Sequence, residues 1–319
     1  MRIVFMGTPE FAVASLAILI KNNYNVVGVV TAPDKPAGRG QQIQQSAIKK
    51  FAVEHNLKLL QPEKLKDEHF ISELKNLKAD LQFVVAFRML PEVVWDMPKM
   101  GTFNLHASLL PKYRGAAPIN WAIIKGETES GVTTFKLKHQ IDTGNILFQE
   151  KVHIEETTTA GELHDKLMQV GAELILKTVK EIQISFESGK ELKFLPQNES
   201  LACHAPKIFK EDCLIDWEKP AIEIYNLIRG LSPYPAAYTQ LKNGDEEIQL
   251  VKIYHSKYEL GSPNHPNGSL YTDNKTFLKV YCEDGLIDVK ELQLQGKKKI
   301  SIQEFLRGFK IKENAKFVS

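Results

Sequence analysis

Apolar positions in the first half of the chain follow two periods. Largely apolar runs at 3–6, 26–30 and 81–86 have the length of strands buried on both faces, and strand patterning continues at 101–106, 131–137 and 146–152. Between them the spacing is helical. Phe11, Val13, Leu16 and Leu19 form a stripe behind a Thr8-Pro9-Glu10 start, residues 46–55, 63–77 and 119–125 carry further helical patterns, and a short strand lies at 57–60. Thr159-Ala160-Gly161-Glu162 matches a capping box, from which Leu163, Leu167, Val170, Leu174, Ile175, Val179 and Ile182 continue as one long helix. Strands alternating with helices predict an α/β domain with a largely parallel sheet over residues 1–189. Periodicity is lost over 185–201, where Ser-Gly, Pro-Gln-Asn and Glu-Ser occur, and a linker is placed at 190–205. From Lys207 onward, short apolar runs are cut by Asn243-Gly244, Pro263-Asn264, Pro266-Asn267-Gly268, Asp284-Gly285 and Gln295-Gly296. That spacing predicts a small β-barrel over 206–319, preceded by a helix at about 222–230.

Composition narrows the classes. The 319 residues include 41 basic and 39 acidic side chains, a net charge of +2, which argues against a protein that simply coats nucleic acid. Any RNA contact then comes from local patches. Cys203, Cys213 and Cys282 are widely spaced and odd in number, so free thiols are expected rather than a disulfide framework or a zinc site. The N-terminus enters a strand-like run directly and no apolar stretch has the length of a bilayer span, so a soluble, cytoplasmic protein without a membrane partner is expected. There is no G-x-G-x-x-G and no G-x-x-x-x-G-K-[ST], hence no expected dinucleotide or nucleoside triphosphate site. Nine scattered histidines without H-E-x-x-H give no support for a metal.

The candidate chemistry sits at the end of the 101–106 strand. Asn104 and His106 are spaced i and i+2, which puts both side chains on one face, where an amide and an imidazole can converge on one atom. Such donors suit a carbonyl oxygen that becomes an oxyanion, although on spacing alone the pair reads as two ordinary polar residues at a strand end. Ser108-Leu109-Leu110-Pro111 follows, an apolar loop that can wall a flat, partly apolar ligand. No Ser or Cys is paired with a base in a nucleophile motif, so no covalent intermediate is expected.

The whole run Asn104-Leu105-His106-Ala107-Ser108-Leu109-Leu110-Pro111-Lys112-Tyr113-Arg114-Gly115-Ala116-Ala117-Pro118 resembles the signature of the formyltransferases that use 10-formyltetrahydrofolate. The resemblance extends to Met6-Gly7-Thr8-Pro9-Glu10-Phe11-Ala12, Asp34-Lys35-Pro36-Ala37-Gly38-Arg39-Gly40, Ile141-Asp142-Thr143-Gly144, Ile215-Asp216-Trp217 and Ile228-Arg229-Gly230-Leu231-Ser232-Pro233, and so spans both halves of the chain. It implies a Rossmann-like catalytic domain and an OB-like (oligonucleotide-binding type) C-terminal barrel. The implied reaction moves a formyl group from 10-formyltetrahydrofolate to the free amine of methionine on initiator tRNA, with Asn104, His106 and Asp142 as catalytic residues and no metal. Asp142, seen alone, is a turn residue bonding its own backbone. The resemblance places Ser108, Leu109, Leu110 and Pro111 at the folate, and Lys35 and Arg39 of the 31–45 loop at tRNA phosphates. For Lys297, Lys298 and Lys299, in a basic run with Arg307, Lys310, Lys312 and Lys316 and with Phe305 and Phe309 interleaved, it favours RNA backbone contact over a plain solvated surface.

The 34–40 loop and the Ile-Asp-Trp start favour an aminoacyl-tRNA acceptor over glycinamide ribonucleotide or an amino sugar, which share the catalytic core, as does the hydrolase part of formyltetrahydrofolate dehydrogenase. From another class, a non-catalytic RNA- or folate-binding protein on the same fold is opposed by the joint presence of Asn104, His106 and Asp142. The chain is expected to act as a monomer. It departs from the family at Phe87-Arg88-Met89, where many relatives carry a small residue; Arg88 there is either solvated at a strand end or in contact with ligand.

Overall fold

The structure, a computed structural model, describes residues 1–37, 42–262 and 264–318. One unit comprises Met1–Gly115, Glu129–His153 and His164–Ala205, and a second comprises Ala116–Thr128, Ile154–Leu163 and Pro206–Ser319.

The chain begins with β1 (Arg2–Gly7), α1 (Glu10–Lys21), β2 (Asn25–Val30), the short pair β3 (Lys35–Ala37) and β4 (Gln42–Gln44), and α2 (Ala47–Glu54). It continues through β5 (Leu59–Leu60), α3 (Glu68–Asn76), β6 (Leu81–Val85), α4 (Glu92–Trp95), β7 (Thr102–His106) and β8 (Arg114–Gly115). After α5 (Pro118–Ile124) come β9 (Glu129–Lys136), β10 (Ile146–His153), α6 (Ala160–Ser188) and β11 (His204–Ala205). Seven strands form one sheet in the order β10-β9-β7-β6-β1-β2-β5. It is parallel from β7 to β5 and antiparallel at β9 and β10, the Rossmann-like, parallel-rich sheet that the alternating periods predict. Strand order reverses at β1, so the carboxyl ends of β1, β6 and β7 lie beside a switch point of the kind where open α/β sheets bind ligands.

Burial explains the strand patterns. Ile3, Val4, Phe5 and Met6 are fully buried, as are Leu81, Phe83 and Val85, which fits strands covered on both faces. On α1 the buried positions are Phe11, Ala12, Ser15, Leu16 and Leu19. Val13 lies off that stripe, and the N-cap is Pro9 rather than Thr8, with no side-chain bond. Gly7 lets α1 approach the sheet, since a Cβ there would come within 2.7 Å of the Ala12 methyl. α3 starts five residues later than its helical pattern because Asp67, accepting from Phe70 N at 3.0 Å, caps it. The Thr159 capping box forms as read: Thr159 N donates to Glu162 Oε2 at 2.8 Å and Glu162 N to Thr159 Oγ1 at 3.3 Å.

The second unit contains α7 (Ala221–Leu231), β12 (Ala237–Lys242), β13 (Gln249–Leu260), β14 (Leu270–Thr272), β15 (Leu278–Cys282), β16 (Gly285–Leu294), β17 (Ile300–Ser301), α8 (Ile302–Gly308) and β18 (Lys316–Val318). The antiparallel order β14-β15-β16-β13-β12-β18 curls back on itself through a bridge between Ser269 and Lys316, giving a nearly closed, OB-like barrel. Its interior is apolar, with Val251, Ile253, Val280, Ile287 and Val289 almost fully buried. Trp217 of the Ile-Asp-Trp motif belongs to this core. It stacks on Phe317 at 5.6 Å, and its indole N–H donates to Thr239 Oγ1 at 3.0 Å.

Candidate active site

Alternation along β7 buries Phe103 and Leu105 on one face and sets Asn104 and His106 on the other. Asn104 is half-buried and makes no side-chain hydrogen bond within the chain among the described residues. His106 is buried, and its Nε2 lies 2.8 Å from the Tyr113 carbonyl. A carbonyl only accepts, so Nε2 carries the hydrogen and Nδ1 is the nitrogen left for chemistry. Nδ1 faces Asp142 Oδ2 at 3.8 Å. The structure thus brings together two residues that stand far apart in sequence.

Asp142 occupies the left-handed region, φ 55°, which a short polar side chain tolerates better than a bulky one. Its Oδ2 accepts from Gly115 N at 2.9 Å. Gly144 closes the turn so tightly on the sheet that a Cβ there would collide with the Lys136 carbonyl. The two residues that hold His106 and Asp142, Tyr113 and Gly115, do so through backbone groups, so no side-chain pattern marks them.

The loop after β7 is tied down internally. Thr133 Oγ1, fully buried on β9, donates to Ser108 O at 2.6 Å and accepts from Leu110 N at 3.2 Å and Gln149 Nε2 at 3.0 Å. Gln149 Nε2 also donates to Leu110 O at 2.9 Å. Thr133 and Gln149 stand directly opposite each other on β9 and β10, polar positions whose sequence pattern shows only strand alternation. Of the four residues expected at the folate, Ser108 and Leu110 are buried, the Ser108 hydroxyl donating to Lys112 O at 2.6 Å, while Leu109 and Pro111 are half-exposed. Arg88 turns back onto the chain, its Nη1 donating to Glu63 O at 2.8 Å and its Nη2 to Pro62 O at 2.7 Å. Burial lowers its pKa from the ordinary guanidinium value.

The residues expected at tRNA are carried by other elements. Lys35 is exposed on β3, in a segment anchored by Asp34, which pairs with Lys49 at 2.6 Å and accepts from Gln61 at 3.0 Å; the Lys49 hydrogen bond holds the Asp34 carboxyl below its usual range. Arg39 lies outside the described residues. Lys297, Lys298 and Lys299 are exposed between β16 and β17; Lys299 pairs with Glu291 at 2.9 Å and sits over the Tyr254 ring. Phe305 is buried and Phe309 stacks on it at 4.8 Å, so the aromatic residues of that basic run serve the core. All three cysteines are free, and burial pushes the Cys282 thiol up to about 11. Among the described residues no cluster of three His, Cys, Asp or Glu side chains is arranged to hold a metal, and no helix is long and apolar enough to cross a membrane.

The formyl transferase family model matches residues 1–179, and that of the formyl transferase C-terminal domain matches residues 207–310. Methionyl-tRNA formyltransferase of Bacteroides fragilis is 55% identical over 317 residues, covering 98% of this chain and 96% of that protein. The methionyl-tRNA formyltransferase of Flavobacterium johnsoniae is 52% identical over 316 residues, covering 99% and 98%. Among solved structures, the sugar 3N-formyl transferase WlaRD has a TM-score of 0.63 at 23% identity, covering 93% of this chain and 99% of its own. HypX from Aquifex aeolicus has a TM-score of 0.62 at 19% identity, covering 98% of this chain and 48% of its own. Those two share the fold. With near-complete coverage in sequence and both family domains in order, the chain belongs to the formyl transferase family, among its methionyl-tRNA formyltransferases.

Proposed function

We propose that this enzyme transfers the formyl group of 10-formyltetrahydrofolate to the free amino group of methionyl initiator tRNA, giving N-formylmethionyl-tRNA for translation initiation. The observation that carries this reading is the convergence of His106 Nδ1 and Asp142 Oδ2, 3.8 Å apart, at the strand end that also carries Asn104. The amine nitrogen attacks the formyl carbon, and the carbonyl oxygen becomes an oxyanion that takes hydrogen bonds from the Asn104 amide and, once Nδ1 has taken the proton the amine loses, from the imidazole of His106. Collapse breaks the bond to the folate nitrogen. The amine loses a proton and the leaving nitrogen gains one; in this reading His106 Nδ1 shares in that transfer and Asp142 holds a relaying water. Folate is a co-substrate and lies against the 108–111 loop, with half-exposed Leu109 and Pro111 as its apolar wall.

In this reading residues 1–189 do the chemistry, 190–205 connect, and 206–319 hold tRNA through the exposed lysines 297–299, aided by Lys35 and Arg39 of the 31–45 loop. It includes action in the cytoplasm, with charged initiator tRNA as the acceptor, and as a monomer. The test is a formyl-transfer assay with charged initiator tRNA, run beside a nucleotide-linked amino sugar. Formylation of the tRNA alone is expected; transfer to the sugar alone, or to neither, would overturn the proposal.

A further inference from the structure

One three-residue segment carries both contacts that fix the acid–base pair. The Tyr113 carbonyl takes the hydrogen of His106 Nε2, the Gly115 N–H donates to Asp142 Oδ2, and Arg114 lies between them. Arg114 is buried to 8% exposure, and its guanidinium makes no bond to the Asp142 carboxylate. Instead Nη1 and Nη2 fork onto Glu199 Oε2 and Oε1 at 2.8 and 2.7 Å, while Nε and Nη2 donate to Gln197 Oε1 at 3.1 and 2.6 Å. The far end of Gln197 completes the chain of bonds: its Nε2 donates to the carbonyls of Asp142 and Gly144, both at 2.8 Å.

Chemistry allows one orientation of this amide. A guanidinium only donates and a carbonyl only accepts, so Gln197 must turn its oxygen to Arg114 and its NH2 to the turn. A carboxylate in its place would meet two carbonyl oxygens, and an apolar side chain would leave the guanidinium with Glu199 alone and take the Gln197 donor from the turn's carbonyls. The main chain adds a second clamp. β11 pairs in parallel with β8, and Arg114 N donates to Cys203 O at 3.0 Å. Residues 195–205 therefore grip the Asp142 turn from one side and the Tyr113–Gly115 segment from the other, although these residues carry no periodicity to announce it.

We infer that Gln197, locked by the Arg114–Glu199 ion pair, is a positioning residue that sets the distance between Asp142 and His106 in the formyl-transfer reaction. It acts on Asp142 through the backbone of the turn and touches neither the reacting atoms nor His106. Holding a partner group within a fraction of an ångström is worth a large rate factor, and a shift of about 1 Å can cost on the order of a hundredfold. The ion pair with Glu199 also satisfies the guanidinium, leaving the Asp142 carboxylate to face the imidazole.

This inference rests on the formyl-transfer reading, and the test separates the two. Steady-state formylation of charged initiator tRNA is measured for the wild-type chain, Gln197→Met, Asp142→Asn and the double variant, with Arg114→Lys as an independent way to loosen the same lock. Gln197 is half-exposed, so its replacement leaves the core intact. Gln197→Met and Arg114→Lys are expected to lower kcat roughly ten- to a hundredfold, with KM for either substrate within about threefold of wild type. In the Asp142→Asn background the same Gln197→Met change should cost less than about twofold more, because it acts through a carboxylate already gone. Multiplicative losses in the double variant would overturn the inference. So would an effect confined to KM, an unchanged kcat in both single variants, or a fall in kcat that only tracks lost thermal stability. A wild-type chain that does not formylate the tRNA would instead overturn the proposed function itself.

Discussion

The strand-end site and the lysine ridge at 297–299 are built to opposite rules. His106 and Asp142 keep 7% and 12% of their side-chain surface, and each is held by a backbone group on a segment that is itself tied down. The three lysines are exposed, and the ion pair between Lys299 and Glu291 is itself half open to solvent. Stabilising a charge that exists only in a transition state demands donors fixed before the charge appears, whereas attracting a polyanion demands only charge in the right region. A small displacement should therefore be expensive in the first region and cheap in the second.

The sharpest way to break this comparison is to remove the chemistry. His106→Ala or Asp142→Asn should lower single-turnover formylation by roughly a hundredfold or more, the scale expected when a general acid-base group or an oxyanion donor is lost. Folate binding, measured by fluorescence or calorimetry, should survive nearly unchanged. Near-normal turnover in either variant, with chemistry limiting the rate, would remove the assigned roles.

A step down in size is the scaffold beneath the site. Thr133→Val keeps shape but deletes the hydroxyl shared by Ser108 O, Leu110 N and Gln149 Nε2. Buried groups left without partners cost about 1–3 kcal/mol each, so thermal or denaturant unfolding should show a loss of that order. Because the same hydroxyl shapes the loop proposed to wall the folate, KM for the folate should rise as well. Stability that falls while folate KM stays put would detach this loop from the ligand.

Arg39 stands between the two regions in expected effect. If the 31–45 loop both meets phosphate and aligns the acceptor amine, Arg39→Ala should depress kcat and tRNA affinity together, by more than a surface lysine and less than His106→Ala. A change in affinity alone would reduce the loop to an electrostatic contact.

Legibility in the sequence follows the same division. Strands and helices long enough to show a period are readable, and so is the shared face of Asn104 and His106, because alternation on a strand is a matter of parity. The pairing of Asp142 with His106 is not a matter of spacing and comes only through the family resemblance. Tyr113 and Gly115 act through main-chain atoms, which every residue type supplies, and β8 and β11 are two residues each, too short to carry a pattern. The basic run misleads in one respect. Phe305 and Phe309 read as aromatic residues interleaved with charge, yet the helical period of α8 turns Phe305 into the core with Ile302 and Leu306.

The smallest effects are expected on the ridge, and they differ from lysine to lysine. Removing one phosphate-binding cation should flatten the log-log dependence of tRNA affinity on salt by roughly 0.7 to 0.9. Lys299 already has Glu291 at 2.9 Å and the Tyr254 ring beneath it, so its charge is partly neutralised within the chain. Lys297 and Lys298 have no comparable ion pair among the described residues. Lys297→Ala and Lys298→Ala should therefore each reduce the slope by nearly that full amount, and Lys299→Ala by clearly less, with kcat and folate affinity unchanged in all three. Glu291→Gln supplies the converse, since freeing the Lys299 ammonium should strengthen tRNA binding slightly and steepen the slope. Equilibrium binding of initiator tRNA across a salt series decides it. Equal slopes for all four variants and the wild type would mean that the ridge is solvated surface, and the tRNA would then have to be held elsewhere.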